Sequence, residues 1–100
     1  QSGHLDEVRI AAIQAECNVP LVIHGGSGVP AEQRRRLAHH TNICKYNIGT
    51  ELRMAFGTAL RDAVNKDAKR FDRVEILKDT HGPVMEATRN VLRNLRPSSV

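Results

Sequence analysis

Aromatic residues are scarce in this chain of 100 residues: they make up 3% of it, with one tyrosine, two phenylalanines and no tryptophan. This scarcity excludes the aromatic stacking platform on which many proteins bind single-stranded nucleic acid. No apolar run approaches the roughly 20 residues that span a bilayer, so we predict no membrane partner. The hydrophobic share of 40% is too high for a disordered chain and fits one small globular domain.

Cysteine is also rare, since the chain contains only Cys17 and Cys44. Two cysteines are too few for a disulfide framework, and we expect both to be buried, reduced thiols. Reduced thiols favour a cytoplasmic protein. The start, Gln1-Ser2-Gly3-His4, has neither an initiator methionine nor the pattern of a signal peptide. It leads directly into a predicted helix, which favours a fragment of a longer protein.

The chain is basic, with a formal net charge of +4 and a pI of about 9.6. The densest basic cluster is Arg34-Arg35-Arg36, beside Glu32 in a predicted helix. We interpret this cluster as a solvated helix face and predict no nucleic-acid partner. A basic nucleic-acid-binding domain is a weaker alternative.

Two short apolar runs predict strands at about 20–24 and 43–48. The full rather than alternating hydrophobicity of the first run is typical of a parallel strand that is buried on both faces. The helix between them is predicted to begin at Pro30, whose missing N–H suits a first turn, and to run to about His40. Thr50 is the predicted N-cap of the next helix. The fold class is therefore α/β, and two strands with open edges favour the tail of a longer βα protein.

Three further helices are predicted from apolar residues at helical spacing. The stripe of the first helix, over 5–16, consists of Leu5, Val8, Ala12 and Ala15. The helix after Thr50 has an unbroken apolar stripe over 52–64. Residues 65–78 are polar and are predicted to be a loop with a short helical piece around 74–77. Pro83 is predicted to begin the last helix, which Pro97-Ser98-Ser99 end.

His24 ends the first strand and opens into a glycine-rich turn, Gly25-Gly26-Ser27-Gly28. At the end of a parallel strand the neutral imidazole would face the mouth of the sheet, where it can bind zinc. Backbone N–H groups of the turn, with the Ser27 hydroxyl, can surround a phosphate. Taken alone, such a histidine is more often structural, and such a turn can need glycine only for its dihedral angles.

The segment Asn47-Ile48-Gly49-Thr50 repeats this arrangement one strand later. Asn47 can hydrogen-bond a hydroxyl or carbonyl, and Gly49 allows close backbone approach. Thr50 can cap its helix and still contact a phosphate, although it can also serve as a cap alone. Two successive strand ends with small polar loops match the phosphate site that (β/α)8 barrels often build after their last two strands.

The remaining histidines are not predicted to bind metal. His39 and His40 are neighbours at a helix end and therefore point apart. His4 and His81 lie in segments that we expect to be flexible. None has a second ligand at metal-binding spacing.

Together, segments 21–30 and 44–52 resemble the C-terminal part of the class II, zinc-dependent fructose/tagatose-bisphosphate aldolases. The resemblance implies a TIM (β/α)8 barrel, of which residues 1–100 would be the last two βα units plus C-terminal helices. Strand seven would lie at about 20–24 and strand eight at about 43–48. The implied activity is the reversible, zinc-dependent cleavage of fructose- or tagatose-1,6-bisphosphate to dihydroxyacetone phosphate and glyceraldehyde 3-phosphate. A homo-oligomer, dimer or tetramer, is also implied.

The same resemblance gives each residue a role. His24 would be one of three histidines that bind Zn²⁺, which stabilises the negative charge left by cleavage. The substrate-binding residues would be Gly25, Gly26, Ser27, Asn47, Ile48, Gly49 and Thr50. Among these, Asn47 would contact the substrate's oxygens and Thr50 its phosphate, and a monovalent cation would lie near Gly25 and Ser27. Some members carry an acidic residue where Gly49 stands, and Gly49 agrees better with the tagatose branch.

The other two zinc histidines and the acid/base carboxylate would come from earlier strands, which precede Gln1. Glu51 and Asp62 are poor replacements, so we assign no catalytic acid/base residue in this chain. We therefore predict that the 100 residues alone neither bind zinc tightly nor cleave sugar bisphosphates. The alternative is a non-catalytic phosphate-binding or interaction module derived from the same barrel.

Overall fold

A computed structural model describes residues 3–96 of the chain. The elements in chain order are α1 (Glu7–Glu16), β1 (Leu21–Ile23), a 3₁₀ turn (Gly26–Gly28), α2 (Ala31–His40), β2 (Ile43–Tyr46), α3 (Thr50–Lys66) and α4 (Arg73–Leu95). This order confirms the α/β class. The two strands are shorter than predicted, and a TIM barrel, which needs eight, is not visible in the part described. No helix within residues 3–96 has both the length and the hydropathy to cross a membrane.

The chain divides into two compact units, residues 1–48 with 92–100 and residues 49–91. The first unit contains the sheet, in which β1 and β2 pair in parallel. Leu21 lies opposite Ile43, but Val22 lies opposite Lys45, so the register shifts between these pairs. Cys44 is thus an extra residue in β2, which is the arrangement of a β-bulge.

Helices α1 and α2 cover one face of this sheet. Ile10, Leu37 and Ile43 are its buried core residues, and Leu5, Leu21, Ile23 and Tyr46 pack against them. On the other face, Val22 is 44% exposed and Cys44 is exposed. The predicted burial of Cys44 is therefore wrong, because the described residues cover only one side of the strands. Cys17 is also exposed, since it follows the last turn of α1.

The buried side of α1 differs from the predicted stripe. Val8 is 82% exposed, whereas Ile10 is buried. Polar contacts with α2 determine which side of α1 is buried. Arg36 forms an ion pair with Glu7 at 2.6 Å. The Gln33 side-chain amide forms two hydrogen bonds with the backbone of Leu5. The spacing of apolar residues along the sequence does not indicate these polar contacts.

The arginine cluster of α2 is not a uniformly solvated face, as we had expected. Arg34 is only 5% exposed, and Arg36 is engaged by Glu7. Only Arg35 of the three is exposed without a described ion pair. The cluster therefore presents little of the charge that a nucleic-acid site would need.

The second unit contains α3 and most of α4. Ala59 and Ala63 are buried, which confirms the apolar stripe of α3. Gly49 is the N-cap of α3 and Thr50 is its first helical residue, so the helix begins one residue earlier than predicted and Thr50 is not its cap.

Helix α4 begins ten residues before Pro83. The short helical piece predicted around 74–77 is thus the first part of one long helix, and the predicted start of a separate helix at Pro83 is wrong. Asp72 caps the start of the helix, with its carboxylate accepting from the Val74 N–H at 2.9 Å. Arg70 pairs with Asp79 at 2.7 Å and braces the first turns. These contacts start the helix early, and Pro83 is accommodated inside it at an exposed position. His81 is thereby helical rather than flexible, and the Pro97-Ser98-Ser99 stop lies outside the described residues.

Candidate functional site

His24 and Asn47 follow β1 and β2 directly and meet at the paired strand ends. The Asn47 amide Nδ2 lies 2.9 Å from the His24 ring Nδ1. Two backbone bonds fix the same junction: the Asn47 N–H donates to the Ile23 carbonyl at 2.8 Å, and the Gly26 N–H donates to the Asn47 carbonyl at 3.1 Å. The structure therefore brings together one residue from each of the two motifs that the sequence singled out.

The register shift in the sheet is what aligns this pair. Beyond it, Ile23 lies opposite Tyr46, so His24 and Asn47 are the next residues along each strand. If Cys44 paired with Val22 and the register did not shift, His24 would lie opposite Tyr46 and Asn47 would be one position too far along. The bulge thus places an amide beside the imidazole.

The glycine turn has one residue in an unusual conformation. Gly25 has a φ of +68°, a left-handed value that is costly for residues with a Cβ. The turn then closes by backbone bonds from the Gly28 N–H to the Gly25 carbonyl and from the Val29 N–H to the Gly26 carbonyl. Because the Gly26 N–H donates to the Asn47 carbonyl, it is not available as one of the predicted phosphate donors of the turn.

Gly26 is buried and packs tightly against the end of β2. A Cβ on Gly26 would lie 2.9 Å from Cδ1 of Ile48 and 3.0 Å from Cδ1 of Tyr46. Ile48 therefore shapes the site through its apolar side chain. Tyr46 is held by its hydroxyl, which donates to the Arg34 carbonyl at 3.3 Å, and burial raises the pKa of that hydroxyl.

Gly49 and Thr50 belong to the second unit, at the start of α3. The Thr50 hydroxyl accepts a hydrogen bond from Nη2 of Arg53 at 3.1 Å. A Cβ on Gly49 would lie 2.8 Å from Nη1 of the same arginine. Sequence reasoning missed Arg53, although its spacing of three residues from Thr50 on a helix places the two on one face.

His24 fits the role of a single zinc ligand. His24 is exposed and has the Asn47 amide at Nδ1. Ligation of a metal through Nε2 would require that amide to turn, so that its oxygen accepts from an Nδ1–H. A catalytic zinc needs three protein ligands, and no three His, Cys, Asp or Glu residues converge within residues 3–96. The other ligands would have to come from outside this part of the chain.

His39 and His40, which were not predicted to bind metal, make contacts within the fold. Nε2 of His39 lies 2.7 Å from the Arg96 carbonyl oxygen. The ring centroids of His39 and His40 are 6.3 Å apart, with the rings inclined at 65°. This bond ties the end of α2 to the residue that follows α4.

The parallel βαβ unit carries an imidazole, an amide and a glycine turn at its strand ends, which is the edge of the sheet where α/β proteins commonly bind their ligands. Comparison with known families shows a match to the family described as "Fructose-bisphosphate aldolase class-II" over residues 1–99. The chain belongs to this family. The match confirms the resemblance and extends it over residues 66–99, where the two motifs gave little support. At the family level the protein is thus an aldolase, a lyase of carbohydrate metabolism.

Proposed function

We propose that the chain is the C-terminal part of a zinc-dependent class II ketose-bisphosphate aldolase. The full enzyme would reversibly cleave fructose- or tagatose-1,6-bisphosphate to dihydroxyacetone phosphate and glyceraldehyde 3-phosphate. The observation that carries the proposal is the 2.9 Å contact between Asn47 and His24 at the paired strand ends. It occurs in a chain that matches the aldolase family over residues 1–99.

His24 would supply one of three imidazole ligands to Zn²⁺, through Nε2. The bound zinc would act as a Lewis acid toward the oxygens of the substrate. The contact of Asn47 with Nδ1 would keep the ring in place, as second partners of ligating histidines commonly do. The Asn47 amide would also contact the substrate's oxygens.

The phosphate of dihydroxyacetone phosphate would be held by Gly25, Ser27 and Thr50. A monovalent cation would lie near Gly25 and Ser27. Gly26, Ile48 and Gly49 would shape the backbone around the phosphate. Fixing a phosphate remote from the reacting carbons orients the substrate and lowers the entropic part of the barrier.

The uncovered face of the sheet supports the assignment of β1 and β2 as the last two strands of a (β/α)8 barrel. Val22 is 44% exposed on this face, next to the exposed Cys44. In a barrel, inward-facing residues of this kind pack in layers against those of other strands. We further propose a cytoplasmic dimer or tetramer, as the family resemblance implies.

The test is to express the natural protein that contains this chain and assay both sugar bisphosphates with and without zinc. We expect cleavage that a chelator abolishes, zinc restores and His24→Ala removes. His40→Ala is the matched control, because His40 is an exposed histidine outside the site. Failure of the zinc-loaded protein to cleave either substrate would overturn the proposal. Phosphate binding without cleavage would identify the alternative, a non-catalytic phosphate-binding module.

A further inference from the structure

One side of helix α4 carries apolar side chains that are exposed. Val74 is 54% exposed, Leu77 40% and Met85 51%. At 3.6 residues per turn these side chains are centred roughly 100° around the helix from Thr80 and Val91, which are the residues that α4 buries. The exposed side is therefore not the side that α4 buries within the fold. Contiguous exposed apolar surface of this kind marks an interaction site.

This α4 patch, which consists of Val74, Leu77, His81 and Met85, borders a groove whose other wall is Phe56 of α3. The groove has a volume of about 610 Å³, and α4 lines it with Leu77, Thr80, His81, Val84 and Met85. Its lining is largely apolar, and the Thr80 hydroxyl already donates to the Leu77 carbonyl at 2.7 Å. An apolar side chain of a docked helix would therefore lose its contact with water in this groove.

We infer that the α4 patch is where two copies of this chain meet, with their α4 helices antiparallel around a two-fold axis near Gly82. A two-fold interface uses the same surface on both copies, so that surface must be complementary to itself. This surface would join the copies of the oligomer proposed above, so the inference rests on that part of the proposed function and not on the proposed chemistry.

The charges beside the α4 patch are arranged symmetrically about Gly82. Glu75 pairs with Lys78 at 3.2 Å. Glu86 pairs with Arg89 at 3.6 Å, and all four side chains are more than half exposed. They form one stripe of α4, about a quarter of a turn around the helix from the patch. Glu75 and Arg89 both lie seven residues from Gly82, and Lys78 and Glu86 both lie four residues from it.

An antiparallel pair centred on Gly82 therefore places each of these charges opposite a charge of the other sign. Glu75 of one copy lies opposite Arg89 of the second copy. Lys78 in the same way lies opposite Glu86 of the second copy. A parallel pair in register would instead oppose each charge to its own equivalent, which disfavours association. The charge pattern thus favours a second copy as the occupant and fixes its direction.

The apolar residues share this centre to within one residue. Leu77 and Met85 lie four residues on either side of His81, the neighbour of Gly82, so the leucine of one copy meets the methionine of the other. Among residues 3–96, nothing outside its own helix lies within 4 Å of a Cβ built on Gly82. Glycine is unfavourable inside a helix, and the fold of one copy does not require it here. Close approach of a second helix would explain it.

The experiment measures the oligomeric state of the natural protein that contains this chain, by sedimentation velocity over a range of concentrations. Lys78→Glu with Arg89→Glu makes the stripe entirely acidic, and Glu75→Lys with Glu86→Lys makes it entirely basic. Each of these two variants alone is expected to dissociate to half its subunit number, because like charges then meet across the axis. An equimolar mixture of the two is expected to restore the wild-type oligomer.

Arg61→Glu with Arg73→Glu is the matched control. It makes the same change in charge as the acidic variant, at exposed positions on α3 and on the far side of α4 from the patch. This control should keep the wild-type oligomer. Leu77→Ala with Met85→Ala should raise the dissociation constant by about a hundredfold, since it removes apolar area from both copies.

The inference is overturned if the acidic and basic variants keep the oligomer of the control, or if they dissociate and their mixture does not reassociate. The first of these results would assign the α4 patch to an occupant other than a second copy. A wild type that is monomeric at every concentration would overturn the inference together with the proposed oligomer. Circular dichroism shows whether α4 is retained, and the alanine pair, which adds no charge, decides the outcome if a charge variant is poorly folded. Cleavage of the sugar bisphosphates by the same samples tests the proposed chemistry separately.

Discussion

Nδ2 of Asn47 and Nδ1 of His24 lie 2.9 Å apart, across the carboxyl ends of two neighbouring parallel strands. The pair is aligned by the register shift around Cys44 and fixed by the backbone bond between the Asn47 N–H and Ile23. A local irregularity of the sheet therefore sets the geometry of its polar edge. The amide can turn either its nitrogen or its oxygen to the ring, and this choice determines what Nε2 can bind.

Replacing Asn47 with alanine should change the tautomer of the His24 ring. With the amide Nδ2 donating to Nδ1, the neutral ring carries its proton on Nε2, whereas ligation of a metal through Nε2 requires the proton on Nδ1. We therefore expect the zinc-free wild-type chain to show predominantly the Nε2–H form by ¹⁵N NMR. Asn47→Ala should shift the ring toward a mixture of tautomers.

The backbone bonds of residue 47 do not involve its side chain, so the strand junction should survive this change. Unaltered amide shifts at Ile23 and Gly26 serve as the internal control. The same tautomer ratio in both proteins would contradict the prediction. In the full enzyme, ligation through Nε2 would require the amide oxygen to accept from an Nδ1–H, and loss of that second partner typically weakens metal affinity about 10–100-fold.

Gly25→Ala should destabilise the chain by about 1 kcal/mol, since a left-handed residue with a Cβ costs 1–2 kcal/mol relative to its usual conformation. Nothing lies within 4 Å of the added Cβ, so the cost comes from the backbone φ of +68° alone. Gly25→Asn should cost less, because asparagine tolerates this region. Urea unfolding of the three proteins measures the difference, and an unchanged midpoint for Gly25→Ala would rule out the left-handed turn.

Gly57→Ala should have the opposite effect. Gly57 lies inside α3, and an added Cβ would meet only Nη1 of Arg61, at an ordinary 3.9 Å. Alanine in a helix interior is favoured over glycine by about 0.5–1 kcal/mol. The thermal midpoint should therefore rise, and a fall would mean that α3 is not continuous through this position.

Gly26→Ala tests packing at the same strand end. The new Cβ would lie 2.9 Å from Cδ1 of Ile48 and 3.0 Å from Cδ1 of Tyr46, and such overpacking costs about 1–3 kcal/mol. Ile48→Val removes the closest of these atoms. The double variant should therefore be less destabilised than the sum of the two single changes, and strict additivity in urea unfolding would show that the two side chains do not collide.

Much of this arrangement could be predicted from local sequence. Apolar runs and breaker residues indicated both strands, α2 and α3, because these elements follow from patterns within a few neighbouring positions. His24 and Asn47 were predicted to lie at strand ends, and parallel strands bring such ends to one edge.

The predictions that were wrong share a cause: these features depend on contacts between groups that are distant in sequence or that compete with a local pattern. The buried side of α1 is selected by Glu7 and Gln33 through partners about thirty residues away. The early start of α4 depends on the Asp72 cap and on the pairing of Arg70 with Asp79, which outweigh the helix-breaking tendency of Pro83. The contact of Arg53 with Thr50 depends on where a flexible side chain folds, which spacing alone does not determine.

The contacts of Glu7 predict how stability depends on pH. Hydrogen bonds from Arg36 and Gln33 lower the pKa of the Glu7 carboxyl from 4.5 to about 2. Because the folded pKa is below the unfolded one, the unfolded chain binds more protons as the pH falls between these values. The stabilisation from Glu7 is therefore complete above about pH 4.5 and is lost as the pH falls toward 2.

Glu7→Gln should flatten the loss of stability between pH 5 and pH 2, as measured by urea unfolding at a series of pH values. Glu16→Gln, at the other end of α1, is the matched control and should keep the wild-type slope. The pair with Arg36 is exposed, so about 1 M salt, which shortens the screening length to roughly 3 Å, should reduce the difference between wild type and Glu7→Gln. Identical slopes for the wild type and Glu7→Gln at low salt would mean that this ion pair does not join α1 to α2 in solution.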